Sequence, residues 1–114
     1  MNSSKFEQIR ERIIRHVQHT LEYCREATRE EFNTNLMLQE ACIFNVIQVG
    51  ELAAKAIEWE METQYPEIQW RQMRGMRNRI VHDYDGVRLD IVWDTIQIDF
   101  PILLEKLKTA KPNA

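Results

Sequence analysis

The sequence predicts an all-α fold, a four-helix up-down bundle with a kinked last helix. Gly and Pro each occur only three times in 114 residues, too sparse a punctuation for an all-β chain. Apolar residues instead recur at three- and four-residue steps over long stretches, the period of amphipathic helices. With 44% hydrophobic and 29% charged residues, the composition is that of a chain that folds around a core. Its length fits one domain, 1–114, near the common size.

Ser4-Lys5-Phe6-Glu7 matches the S/T-x-x-E capping box and is expected to open the first helix. Phe6, Ile9, Ile13, Val17, Leu21 and Cys24 then form one apolar stripe, which fades near Arg29. Glu30 to Asn35 reads as a polar connection. A second helix is expected from about Leu36 to Glu60, apolar over so wide an arc that it must be the central helix or face both a core and a partner. Gly50 in its interior costs roughly 1 kcal/mol relative to Ala, and close approach of another backbone would explain it. Past Tyr65-Pro66, a third helix should run from near Ile68 to about His82 and end in the Asp83-Tyr84-Asp85-Gly86 turn. The fourth spans about Leu89 to Lys108, with Pro101 inside it as the expected source of a kink.

A net charge of −3 argues against a general nucleic-acid coat, because phosphate binding depends on Lys and Arg. Yet from Gln69 to Arg88 five arginines (71, 74, 77, 79, 88) face only Asp83 and Asp85, a local +3 on a remainder of −6. That pattern suits a small anion site, or simply a solvated face with incidental arginines. Cys24 and Cys42 lack metal-ligand spacing and read as buried free thiols of a reducing compartment. The N-terminal segment has no signal-like apolar stretch, and no apolar run approaches the ~18 residues needed to span a bilayer. The expectation is a cytoplasmic protein without a membrane partner.

The third helix resists a bland amphipathic reading. Trp70, Met73, Met76 and Ile80 define its apolar side, and Arg77 falls within about 40° of Met73, inside the stripe. A guanidinium there needs a partner, for which Glu51 on the central helix is a candidate, unless the stripe faces a cleft or another subunit. His82 lies five residues on, about 140° around and ~7.5 Å along a straight helix, so one chain does not automatically bring the two together. It could equally be a simple partner for the helix C-terminal dipole. Tyr84 and the nearby arginines offer ring stacking and phosphate contacts suited to an unpaired nucleotide. On RNA no metal or cofactor is required in principle: a histidine can move the protons while arginines hold charge growing on phosphorus. His16 and His19, at i and i+3, could grip a metal but read as solvated residues of a charged face.

Three runs, Val49-Gly50-Glu51-Leu52-Ala53-Ala54-Lys55, Tyr65-Pro66-Glu67-Ile68-Gln69-Trp70 and Gly75-Met76-Arg77-Asn78-Arg79-Ile80-Val81-His82-Asp83-Tyr84, together resemble HepT-like HEPN toxins. The likeness continues through Ile91-Val92-Trp93 and Asp99-Phe100-Pro101, so it covers about residues 40–105. It departs at Arg88, near which the family pattern often has an acidic residue opening the last helix. The resemblance implies a helical bundle that forms a homodimer, with the Arg-x4-His-x-Tyr segments of both copies lining one cleft. It further implies a metal-independent ribonuclease with Arg77 and His82 as the catalytic pair. Asn78 matches the polar residue usual after the arginine, and Arg74, Arg79 and Glu51 become supporting or RNA-binding residues. The implied partner is a minimal nucleotidyltransferase antitoxin, which in some pairs adds AMP to the motif tyrosine, here Tyr84. The alternative is a non-catalytic subunit that binds a nucleotide or substrate for such a nucleotidyltransferase.

Overall fold

The computed structural model describes residues 2–83 and 86–113, and every regular element among them is helical. In chain order these are α1 (Asn2–Tyr23), α2 (Arg29–Thr34), α3 (Leu36–Glu58), α4 (Met61–Gln64) and α5 (Trp70–His82). A last long segment comprises α6 (Leu89–Asp94), a π-turn (Thr95–Asp99) and α7 (Phe100–Thr109).

Two expectations about the first third of the chain are corrected together. α1 is already helical at Asn2, so Ser4 lies inside its first turn and is not its cap. No Gly or Pro precedes Phe6, the first core anchor, and nothing therefore stops the helix from extending past it. The same S/T-x-x-E signature does form a capping box at Thr28 and Glu31, where the polar connection was expected. The Thr28 hydroxyl accepts from the Glu31 amide at 3.1 Å, and the Glu31 carboxylate accepts from the Thr28 amide at 3.0 Å. Phe32 makes this short helix worthwhile: it is fully buried, its ring 5.4 Å from that of Trp93. Asn35 then caps α3 by accepting from the Leu38 amide.

α3 is the central helix, packed closely against α1 on one side and α5 on the other. It is also long and apolar enough to cross a membrane by composition alone, with a mean hydropathy of 1.2 over its best window. Helix packing accounts for that character, since Cys42, Val46, Val49, Leu52, Ala53 and Ala56 are all buried in the core. Gly50 has the reason expected of it. A Cβ at that position would lie 2.2 Å from the Arg77 Cβ and 2.9 Å from the Met73 carbonyl oxygen. Only glycine lets the α5 backbone come so near.

The connection into α5 holds its own short helix, α4, which periodicity over four residues could not reveal. Its work is anchoring. Tyr65 stacks on Phe6 of α1 with centroids 3.6 Å apart, and Trp70 meets the same ring edge-on while its indole N–H donates to the Tyr65 carbonyl at 3.0 Å. These contacts fix where α5 starts and hence which residues face α3. At the far end, the proline is absorbed by a widened turn. The Phe100 amide reaches back five residues to the Thr95 carbonyl, and Pro101 falls in the first turn of α7, where its missing N–H costs little.

Candidate functional site

Arg77 sits where the wheel placed it, in the apolar seam between α5 and α3, with its stem against Gly50 and its side chain 25% exposed. Its Nη1 approaches the Glu51 carboxylate at 3.3 Å, longer than the roughly 2.7–2.9 Å of a tight guanidinium–carboxylate bond. Its Nε is buried with no hydrogen-bond partner, the one such side-chain nitrogen or oxygen among the described residues. A buried N–H left unmatched costs on the order of 1–3 kcal/mol.

The other arginines of the basic stretch divide sharply. Arg71 forks onto Glu62 with bonds of 2.7 and 3.0 Å, and Arg88 onto Asp90 with 3.1 and 2.8 Å. The latter fork holds the Asp90 carboxyl below the usual carboxylate range and neutralises the charge that set Arg88 apart from the family pattern. Arg74 and Arg79 make no ion pair or side-chain hydrogen bond with the described residues. The positive charge still available is thus concentrated on Arg74, Arg77 and Arg79.

α5 does not gather all the candidates on one side. Arg74, Asn78 and His82, four apart, form a row along its solvent side, and Arg77 flanks that row where α5 meets α3. His82 is the last residue of α5, exposed, without a side-chain hydrogen bond to the described residues. Arg79 projects to the opposite side, into a crevice shared with Asp83, Val87 and Arg88. Tyr84, the expected point of AMP addition, lies outside the described residues.

Two features of this strip went unnoticed in the sequence. Gly75 lies in the exposed row between Arg71 and Asn78, and a Cβ there would meet nothing within 4 Å. In contrast to Gly50, no intramolecular contact requires it, although it costs roughly 1 kcal/mol of helix stability relative to Ala. Val81, between Arg77 and His82 on the wheel, is 48% exposed. The signal for both was a glycine on the polar side of the helix and a valine beside Trp70 on the wheel, extending the apolar stripe past Arg77.

His16 needs a correction as well. It is not a plain solvated residue: it is half-buried, and its Nδ1 is 2.8 Å from the Asn45 Oδ1 across the α1–α3 seam. His19 is exposed and stacks on Tyr23 with centroids 6.0 Å apart.

The HepT-like family, described as ribonuclease HepT-like, matches residues 13–110. The chain belongs to this family. A Thermococcus cleftensis protein provisionally named ribonuclease HepT is 36% identical over 87 residues, covering 76% of this chain and 78% of that one. A Caldanaerobacter subterraneus protein provisionally named an RNase is 28% identical, covering 86% and 87%. In Methanocaldococcus jannaschii, a protein whose name joins gamma-glutamylcyclotransferase to a provisional RNase is 30% identical. That match covers 83% of this chain but only 42% of the longer relative. No solved structure matches the chain at a significant level.

Proposed function

We propose that this HepT-like chain is a metal-independent ribonuclease whose site is completed by a second copy of itself, giving a four-helix HEPN-type domain that works as a homodimer. The observation that carries the reading is the partly exposed Arg77 guanidinium at the α5–α3 seam, held only loosely by Glu51 at 3.3 Å and with its Nε unmatched among the described residues. A phosphate oxygen is the acceptor that a guanidinium fork fits best. His82 then moves the protons, taking one from the attacking 2′-hydroxyl or giving one to the departing 5′-oxygen. Arg77 stabilises the charge that accumulates on the phosphorus oxygens between those events. Arg74 and Asn78 extend the strip along the RNA backbone, while Arg79 serves from the other side of α5.

Arg77 and His82 point about 140° apart on one helix, so pairing two α5 strips is the economical way to bring an arginine and a histidine to the same phosphate. The surface around Arg77 suits such a contact. Val81 is exposed on α5, and Phe44, 57% exposed, lies two turns before Glu51 on the same line of α3. Gly75 permits close approach of another backbone. Tyr84 follows His82 by two residues, and AMP added there by a nucleotidyltransferase antitoxin would bring a phosphate to the same arginines and block the strip. The HepT-like family and the ribonuclease names of relatives support this reading.

His82, without a side-chain hydrogen bond to the described residues, favours a second reading, since a general acid/base is commonly oriented by such a bond. In that case the chain binds a nucleotide or substrate for a nucleotidyltransferase and cleaves nothing. Cleavage of RNA in chelator-treated buffer by wild-type and His82→Ala protein separates the two. The ribonuclease reading expects wild-type turnover and a loss of at least about 100-fold in the variant, with the dimer retained by size-exclusion chromatography. A fully active His82→Ala protein would sink it, and an inactive but RNA-binding wild type would establish the second reading.

A further inference from the structure

The helix pairing brings together two groups that the ribonuclease reading does not use. Cys24, just past the end of α1, and Cys42, in the second turn of α3, are 18 residues apart in sequence, yet their sulfurs lie 3.6 Å apart. Both thiols are buried and neither is tied to a metal or another sulfur. Cys42 is wholly enclosed, while Cys24 retains slight exposure in the turn where α1 unwinds. Residues flanking that turn (Tyr23, Arg25, Ala27) line, with Leu38, an open depression of about 400 Å³ that leads solvent to its vicinity.

We infer that Cys24 and Cys42 are a dithiol modification site, oxidised to an intramolecular disulfide by small hydroperoxides and restored by thiols. The neighbouring Cys42 thiol lowers the pKa of Cys24 against the opposing effect of burial, whereas the Cys24 contact and then burial raise that of Cys42. Cys24, the more exposed of the two and placed in the turn after α1, is the attacking sulfur. Its thiolate takes the terminal oxygen of the peroxide, breaking the O–O bond, to give a sulfenic acid, with water or an alcohol as the leaving group. Cys42, losing its proton, then attacks the Cys24 sulfur and expels hydroxide, which leaves as water. Two thiols and one hydroperoxide thus become one disulfide, one water and one alcohol (or a second water). The bond would clamp the end of α1 to the start of α3 around α2, closing a loop long enough to raise Tm by roughly 10 °C. This inference stands independently of ribonuclease activity.

The test uses the reduced full-length chain, equimolar hydrogen peroxide, alkylation of remaining thiols, and peptide mapping. Expected are a mass lower by two hydrogens, no alkylation, a Cys24–Cys42 cross-linked peptide cleaved by dithiothreitol, and the higher Tm. In Cys42→Ser, Cys24 should accumulate as a sulfenic acid trapped by dimedone; in Cys24→Ser, Cys42 should stay unmodified. Disulfides between two chains, sulfinic acids formed separately on the two residues, or thiols that remain fully alkylatable would overturn it.

Discussion

The two sides of α3 are packed by opposite rules. Toward α1, every buried polar side chain among the described residues has a partner. Asn45 bridges His16 and the Ala41 carbonyl, both at 2.8 Å, and the Thr20 hydroxyl donates to the Val17 carbonyl at 2.7 Å. Toward α5, Gly50 lets the two backbones meet closely, yet the Arg77 Nε–H is buried with no partner among the described residues. A seam built for stability alone would not carry that cost, because an apolar residue of Arg77's size could fill the same space. In the proposed reading the first side is scaffold and the second is the site, completed by a partner from outside the chain.

The sharpest way to break this contrast is to prise the second seam open. Gly50→Ala places a methyl group against the Arg77 stem and the α5 backbone, and should cost about 3 kcal/mol or more in chemical denaturation. A cost under about 1 kcal/mol would mean that α5 is free to move and the seam is not tight. Next in size is a matched pair of changes. Asn45→Ala strips His16 and the Ala41 carbonyl of their partner and should destabilise by about 2 kcal/mol, with RNA cleavage per folded molecule unchanged. Arg77→Met keeps the stem over Gly50 but removes the charge. Its stability should stay within about 1 kcal/mol of wild type while cleavage is lost. If Arg77→Met instead unfolds the protein and leaves residual activity intact, Arg77 is a structural ion-pair partner of Glu51 and nothing more.

The smallest effect is the most discriminating. Gly75→Ala meets no neighbour and should stabilise the isolated fold by roughly 0.5–1 kcal/mol through helix propensity. The same change should weaken dimerisation or RNA cleavage if a partner's backbone packs there. A variant that is more stable and equally active would show that the glycine serves no contact.

Much of the fold was legible because local rules and tertiary packing agreed. The stripes of α1 and α3 and the misplaced Arg77 followed from helical periodicity, close approach at Gly50 from the cost of a glycine inside a helix, and Glu51 was one candidate partner for Arg77 beside a cleft or another subunit. Boundaries were less legible. The S/T-x-x-E signature occurs at both Ser4 and Thr28, and each has a buried aromatic beside it, Phe6 and Phe32; only the second caps a helix, because α1 has already begun at Asn2. Pro101 was expected to kink a helix, but whether the chain would bend, break or widen into a π-turn depended on what packs around Thr95 and Phe100.

The sequence by itself determined the helical class, the central place of α3 and the segment from Arg77 onward as the odd one out, since each rests on residue spacing along one helix. Tertiary structure alone decided which charges stay free. Arg71 and Arg88 fork onto carboxylates, whereas Arg77 meets Glu51 only at 3.3 Å and its Nε has no partner among the described residues. It also decided that Cys24 and Cys42 touch and that His16 serves Asn45. Such pairings depend on the angle and register at which two helices meet, and those are set by the sum of all packed side chains, not by any local pattern.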